Sequence, residues 1–224
     1  VLAPLEDADQ LVRIALPAGE ITGSTPTAEQ PHDATAAADG SILVAAEQGE
    51  AVCVIRGNRV VHAFGGLTQP GGIAAAGDLV GLVDVADNTL TVYDAGRLSQ
   101  VARVGAGSGP THVVADRRGR LVVIDTRGEA VLVFALRPTV RMIARTPVPG
   151  HPYGVAYDAR RNRLWVTLTG RNQLVGLSLG DSGPRAEVRL PTVRQPNTVA
   201  VDPDSGRVFI AGRTDGLLQI VDPG

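Results

Sequence analysis

The sequence predicts an all-β fold, a five-bladed β-propeller of four-stranded antiparallel blades, and three observations predict it. A proline opens a short run of small and β-branched residues five times, at Pro31, Pro70, Pro110, Pro152 and Pro196, with intervals of 39, 40, 42 and 44 residues. A period near 40 filled with strand-like sequence is the signature of one propeller blade per repeat. Aromatic residues make up only 3% of the chain while apolar residues make up 44%. Val, Leu, Ile and Ala must therefore build the core, which suits pleated sheets. Turn-forming residues recur between the runs: Asp39-Gly40, Gly77-Asp78, Gly119, Asn162 and Gly206 each fall between the first and second strand of a repeat, where a tight hairpin needs positive φ.

The elements follow in chain order. Leu11 to Leu16, followed by Pro17, resembles the fourth strand Ala186 to Leu190, followed by Pro191. Residues 1–20 are accordingly expected to supply a closing outer strand that completes the last blade, because an unpaired sheet edge is a liability. The blades are expected at about 31–66, 70–106, 110–148, 152–191 and 196–222, making residues 1–224 one propeller domain. In the third repeat the strands read Thr111–Asp116, Arg120–Asp125, Ala130–Ala135 and Val140–Arg145. In the fourth they read Gly154–Tyr157, Arg163–Thr167, Leu174–Ser178 and Ala186–Leu190. The fifth repeat stops after its third strand, Leu217–Val221, and this gap is the one that the N-terminal strand is expected to fill.

Composition excludes several function classes. The formal net charge is −2, so no concentrated basic face for nucleic acid is expected. All 21 basic residues are arginine, which reads first as codon bias and second as a choice of bidentate groups. The single cysteine, Cys53, sits in the apolar run Ala51–Ile55, so it reads as core packing, with no internal disulfide and no thiolate zinc site. No uninterrupted apolar run is long enough for a transmembrane segment. The chain starts at Val1 with no leader, which suggests a trimmed or mature form, with any signal peptide or lipid anchor upstream.

Two segments carry a family resemblance. Gly150-His151-Pro152-Tyr153-Gly154-Val155-Ala156-Tyr157-Asp158 followed by Arg163-Leu164-Trp165-Val166, and Gln195-Pro196-Asn197-Thr198-Val199-Ala200-Val201-Asp202-Pro203 followed by Gly206-Arg207-Val208-Phe209-Ile210, resemble the YVTN-type and NHL-type repeat propellers. The pattern covers residues 31 to 224 and is similar to that of small bacterial exported propeller lipoproteins. The resemblance implies a propeller fold, an extracytoplasmic or envelope-associated location and a lipid anchor upstream of the given chain. Family members more often have six or seven blades, so a ring of five implies a narrow channel.

In a propeller, the loops after the second and fourth strands of each blade open on one face. The first positions of the inner strands are expected to converge there, which makes His32, Asp33, His112, Tyr153 and Asn197 the candidate ligand-binding residues. Aligning the second strands puts Glu47, Asp84 and Asp125 at one equivalent rim position, with Leu168 and Gly212 in the other two blades. Imidazole and carboxylate together suit a small polar ligand or a divalent ion, but blade-opening polar residues also commonly bind neighbouring backbone, and strand-ending acids commonly cap turns. No HExxH, paired-cysteine or EF-hand spacing supports a metal, and no cofactor is expected. Gly-x-Ser-x-Gly occurs once, at Gly176–Gly180, but it overlaps the expected strand Leu174–Ser178 and opens no helix, so it makes no nucleophile elbow. Gly105–Gly109 likewise leads into a strand rather than a helix, which together argues against a serine hydrolase and a nucleotide site. The reading is a non-catalytic binding or interaction module for an unknown protein or small polar ligand. A lactonase or glycosidase in the funnel, with the three carboxylates as acid and base, and a scaffold binding a protein through its rim are the alternatives.

Overall fold

The computed structural model describes residues 1–223, all in strands, turns and one short 3₁₀ turn at Glu6–Ala8. The strands form six antiparallel sheets in sequence order, of three or four strands each. The chain divides into two compact units, Val1–Gly105 and Ala106–Gly224.

The first unit holds three sheets: β1 (Leu2–Leu5), β2 (Gln10–Ala15) and β3 (Glu20–Pro26); β4 (Pro31–Ala36), β5 (Ile42–Ala46), β6 (Ala51–Arg56) and β7 (Arg59–Phe64); β8 (Pro70–Ala76), β9 (Leu79–Asp84), β10 (Thr89–Asp94) and β11 (Ser99–Gly105). The second unit holds β12 (Pro110–Ala115), β13 (Leu121–Asp125), β14 (Ala130–Ala135) and β15 (Arg141–Pro147); β16 (Pro152–Asp158), β17 (Arg163–Leu168), β18 (Gln173–Gly180) and β19 (Gly183–Pro191); and β20 (Pro196–Val201), β21 (Val208–Gly212) and β22 (Leu218–Val221).

The fold is the expected all-β propeller type, but the blades number six, not five. Leu11 to Leu16 does not complete the last blade: Leu11–Ala15 lies in β2, the middle strand of a sheet of its own between β1 and β3. Two local features identify β2 and β3 as the third and fourth strands of a blade. In each four-stranded blade the residue before the third strand is left-handed, at Glu50, Asn88, Glu129 and Asn172, and so is Asp9 before β2. Each third-to-fourth strand pairing also carries a register shift, at Arg13/Ile14, Val54/Ile55, Val92/Tyr93, Val133/Phe134 and Gly176/Leu177, and such bulges bend a strand and increase its twist. The first blade therefore has no strand of the proline-opened kind, and a search for prolines passes over it.

Within each unit the blades pack face to face through mainly aliphatic side chains. Leu11 of β2 packs with Val44, Cys53 and Ile55 of the next blade, and Val52 and Val54 pack on Ile73, Val80 and Leu82. In the second unit Val131 and Val133 meet Leu164 and Val166, while Trp165 and Leu174 meet Val199, Val208 and Ile210. Full burial of each such side chain is worth roughly 1.5–3 kcal/mol. Cys53 is buried in this packing, and its sulfur lies 3.4 Å from the Ala28 amide.

The turns between first and second strands are built by aspartate. Asp39, Asp116, Asp158 and Asp202 each accept the amide of the residue two positions on, at 2.9, 2.9, 3.0 and 3.1 Å. Such Asx turns satisfy the backbone locally. Gly40, Gly119, Asn162 and Gly206 in these turns, and Gly77 in the turn between β8 and β9, take positive φ, which their residue types tolerate.

Candidate functional site

In the first unit, β4 carries His32 and Asp33 side by side. His32 Nδ1 lies 2.9 Å from Glu6 Oε1, with both side chains open to solvent. Asp33 turns the other way. Its Oδ2 accepts the Ile73 amide of β8 at 2.9 Å and its Oδ1 accepts the Ala34 amide at 2.8 Å. Two residues further along, Thr35 Oγ1 accepts the Ala75 amide at 3.1 Å. Asp33 and Thr35 thus join the inner strands of adjacent blades. Burial pushes the Asp33 carboxyl above its usual value, and the two amide bonds only partly oppose this.

Asp84 and Asp125 occupy one equivalent position, as β9 and β13 pair through them with Pro70 and Pro110. Glu47 does not share it. Pro31 pairs with Ala46, so Ala46 is the counterpart and Glu47 lies one residue beyond the strand. Asp84 is buried and accepts the amides of Thr68, Gln69 and Asp87 at 2.8, 3.1 and 3.2 Å. Asp125 is buried in the same way under the amides of Ser108, Gly109 and Gly128, at 3.0, 2.9 and 3.0 Å. Each fixes the linker into its blade and the loop that follows it. Gly107 and Gly128 press so close to the Asp125 carboxylate that neither position has room for a Cβ.

In the second unit His112 of β12 and Tyr153 of β16 are half-buried and meet edge to face, their ring centroids 4.7 Å apart. Asn197 is the second residue of β20 and is half-buried. Its carbonyl approaches Gly154, where a Cβ would lie 2.8 Å from the oxygen. The Gly154 amide donates to Thr167 Oγ1 at 2.9 Å. The structure therefore brings His32 and Asp33 together on one strand, and His112 and Tyr153 across two.

A cleft of about 300 Å³ opens in the first unit among Glu47, Gln48, Glu50, Thr68, Gln69 and Ala86. It lies between the loop joining β5 to β6 and the linker leading into β8. Gln69 Nε2 donates to Glu47 Oε1 at 2.8 Å, closing one side, while Asp84 holds the backbone of Thr68 and Gln69 beneath. The walls are carboxylate, amide and hydroxyl, with no aromatic ring. Such a lining suits a small polar guest that offers hydrogen-bond donors or positive charge. Of these residues only Glu47 stood out in the sequence; the other signal was the pairing of Glu47 with Glu50 in one four-residue loop. Among the described residues no group of three His, Cys, Asp or Glu side chains is placed to hold a metal ion.

No family model matches this chain, and no curated protein does. Solved structures match its fold throughout. A candidate 6-phosphogluconolactonase from Bacteroides uniformis superposes with a TM-score of 0.82 at 13% identity, covering 100% of this chain and 77% of that one. Virginiamycin B lyase from Staphylococcus aureus gives 0.76 at 15% identity, covering 96% and 74%. A chain of the mitotic checkpoint complex gives 0.84 at 12% identity, covering 98% and 69%. At these identities the likeness establishes the propeller fold and leaves function open, since the same fold serves unrelated tasks. No helix among the described residues is long and apolar enough to cross a membrane.

Proposed function

We propose that this protein is a non-catalytic binding module of the exported bacterial propeller kind, and that the cleft at Glu47 and Glu50 takes a small polar ligand bearing a cationic or donor-rich group. The observation that carries this reading is the contrast between two sets of carboxylates. Asp84 and Asp125, which a lactonase or glycosidase would need as acid and base, are buried beneath three amides each. Glu47 and Glu50 face an open cleft. The lactonase and lyase among the structural neighbours keep an enzymatic reading in view at the level of fold, but no residue arrangement here favours it. Placement outside the cytoplasm, with an anchor upstream, rests on the resemblance of the repeats to exported propellers.

Titration with spermidine, arginine methyl ester, Mg²⁺ and Ca²⁺, read by melting temperature, tests the site. A shift is expected from at least one amine, falling at least about ten-fold in apparent affinity in Glu47→Gln/Glu50→Gln, since even one polar contact to a charged group is worth roughly 1.5–3 kcal/mol. No shift with any probe, or an unchanged shift in the double variant, overturns the assignment.

A further inference from the structure

The modest net charge conceals a strong separation. Residues 1–105 carry five arginines against 13 carboxylates, and residues 106–224 carry 16 arginines against ten. The loops that follow second and fourth strands show it most sharply. In the first unit these loops, residues 6–9, 27–30, 47–50, 65–69 and 85–88, hold seven carboxylates and no arginine. The corresponding loops of the second unit hold Arg127, Arg171, Arg194 and Arg213 against Glu129 and Asp215. All four arginines are exposed. Among the described residues Arg171, Arg194 and Arg213 make no ion pair within 4.0 Å. Glu129 is already engaged by the amides of Gly150 and His151.

We infer that the arginine-bearing loop face of the second unit is a docking surface for a second copy of this chain, which meets it with the carboxylate-bearing loop face of its first unit. Charge complementarity selects this occupant. The guanidinium fork pairs with carboxylates in a bidentate geometry, and the chain itself supplies the carboxylates. None of these loops contains a Phe, Tyr or Trp ring on which a nucleic-acid base could stack. A net charge of only −2 also keeps repulsion between whole copies small. The contact gains orientation and association rate from its charges and weakens with salt, because surface charges are screened within about 10 Å at 0.1 M.

The test is sedimentation of the parent and two charge-reversed variants, Arg171→Glu/Arg213→Glu and Asp7→Arg/Glu29→Arg, all of them outside the cleft. The parent is expected to self-associate at about 20 mM salt and to return to monomer at about 0.5 M. Each variant alone is expected to remain monomeric at low salt, and an equimolar mixture of the two to associate again, because the reversed faces complement one another. Circular dichroism melting establishes that each variant is folded; where a reversal fails to fold, Arg171→Gln/Arg213→Gln replaces it, with at least a five-fold loss of association expected. A parent that is monomeric at low salt up to about 100 µM overturns the inference, as does a mixture that fails to associate while the parent does. Retention of a monomeric parent on a polyanion resin would assign the arginines to a different acidic partner and overturn it equally.

Discussion

Arg120 Nε donates to Asp116 Oδ2 at 2.7 Å in a largely buried pair, and Nη1 of the same guanidinium donates to the Gly180 carbonyl of the next blade at 3.2 Å. The arrangement repeats. Arg56 reaches Asp39 and then the Ala95 carbonyl at 2.9 Å, and Arg161 reaches Asp158 and then the Pro203 carbonyl at 3.3 Å. In each case the aspartate that builds a hairpin turn also aims an arginine across to the neighbouring blade of the same unit. Only a planar group with several fixed donors can serve both partners at once.

Removing one member of such a pair leaves the other buried without its counter-charge. Arg120→Met is expected to lower unfolding free energy by about 3–5 kcal/mol, measured by urea denaturation. Arg56→Met, at a more exposed strap, should cost under about 1 kcal/mol. Equal losses at the two sites would show that burial does not govern the strap.

Asp125 accepts three backbone amides, and the one from Gly109 is buried. Asp125→Ala is expected to cost about 3 kcal/mol, since each buried donor left without a partner carries a penalty of roughly 1–3 kcal/mol. Asp125→Asn, which keeps one carbonyl oxygen, should recover part of it. Chemical denaturation of both variants decides, and a neutral Asp125→Ala would remove the structural role assigned to this carboxylate.

Two carboxylates should respond to pH in opposite directions. The amides of Gly150 and His151 hold the Glu129 carboxyl below its ordinary 4.5, so its contribution is present above that value and lost as pH falls through the lowered one. Burial raises Asp33 above its ordinary 3.8. Its contribution is complete below 3.8 and is lost as pH rises through the raised value. Melting temperatures from pH 2.5 to 7 should therefore show Glu129→Gln approaching the parent as pH falls, and Asp33→Asn gaining on the parent as pH rises. Parallel curves for either variant would refute the corresponding shift.

Trp165 and Phe209 occupy matching second-strand positions, opposite Ala156 and Ala200. Trp165 is 1% exposed and packs against the last blade, while Phe209 is half-buried. Trp165→Ala is expected to cost about 3–5 kcal/mol. Phe209→Ala should cost about half as much, in proportion to the area it hides. Urea midpoints with unchanged slopes would establish both values.

Much of the fold is written locally, in residues whose conformational preferences act without help from distant chain. Pro31, Pro70, Pro110, Pro152 and Pro196 mark five inner strands, and Asp-Gly, Gly and Asn mark the hairpins, because fixed or positive φ is a property of the residue itself. Which strands pair, and in what register, depends on contacts made across the chain, and there the structure alone decided. The sixth blade was hidden because the sheet of β1 to β3 contains no proline-opened strand, so Leu11–Ala15 resembled a fourth strand as well as a third. Glu47 seemed level with Asp84 and Asp125, but the pairing of Pro31 with Ala46 moves it one residue outward, into the cleft. The cleft itself joins Glu47 and Glu50 to Thr68 and Gln69 of the next linker, held in place by Asp84. Local sequence specifies the turns and the strands they join, whereas a binding surface exists only once burial and strand pairing have placed separate loops side by side.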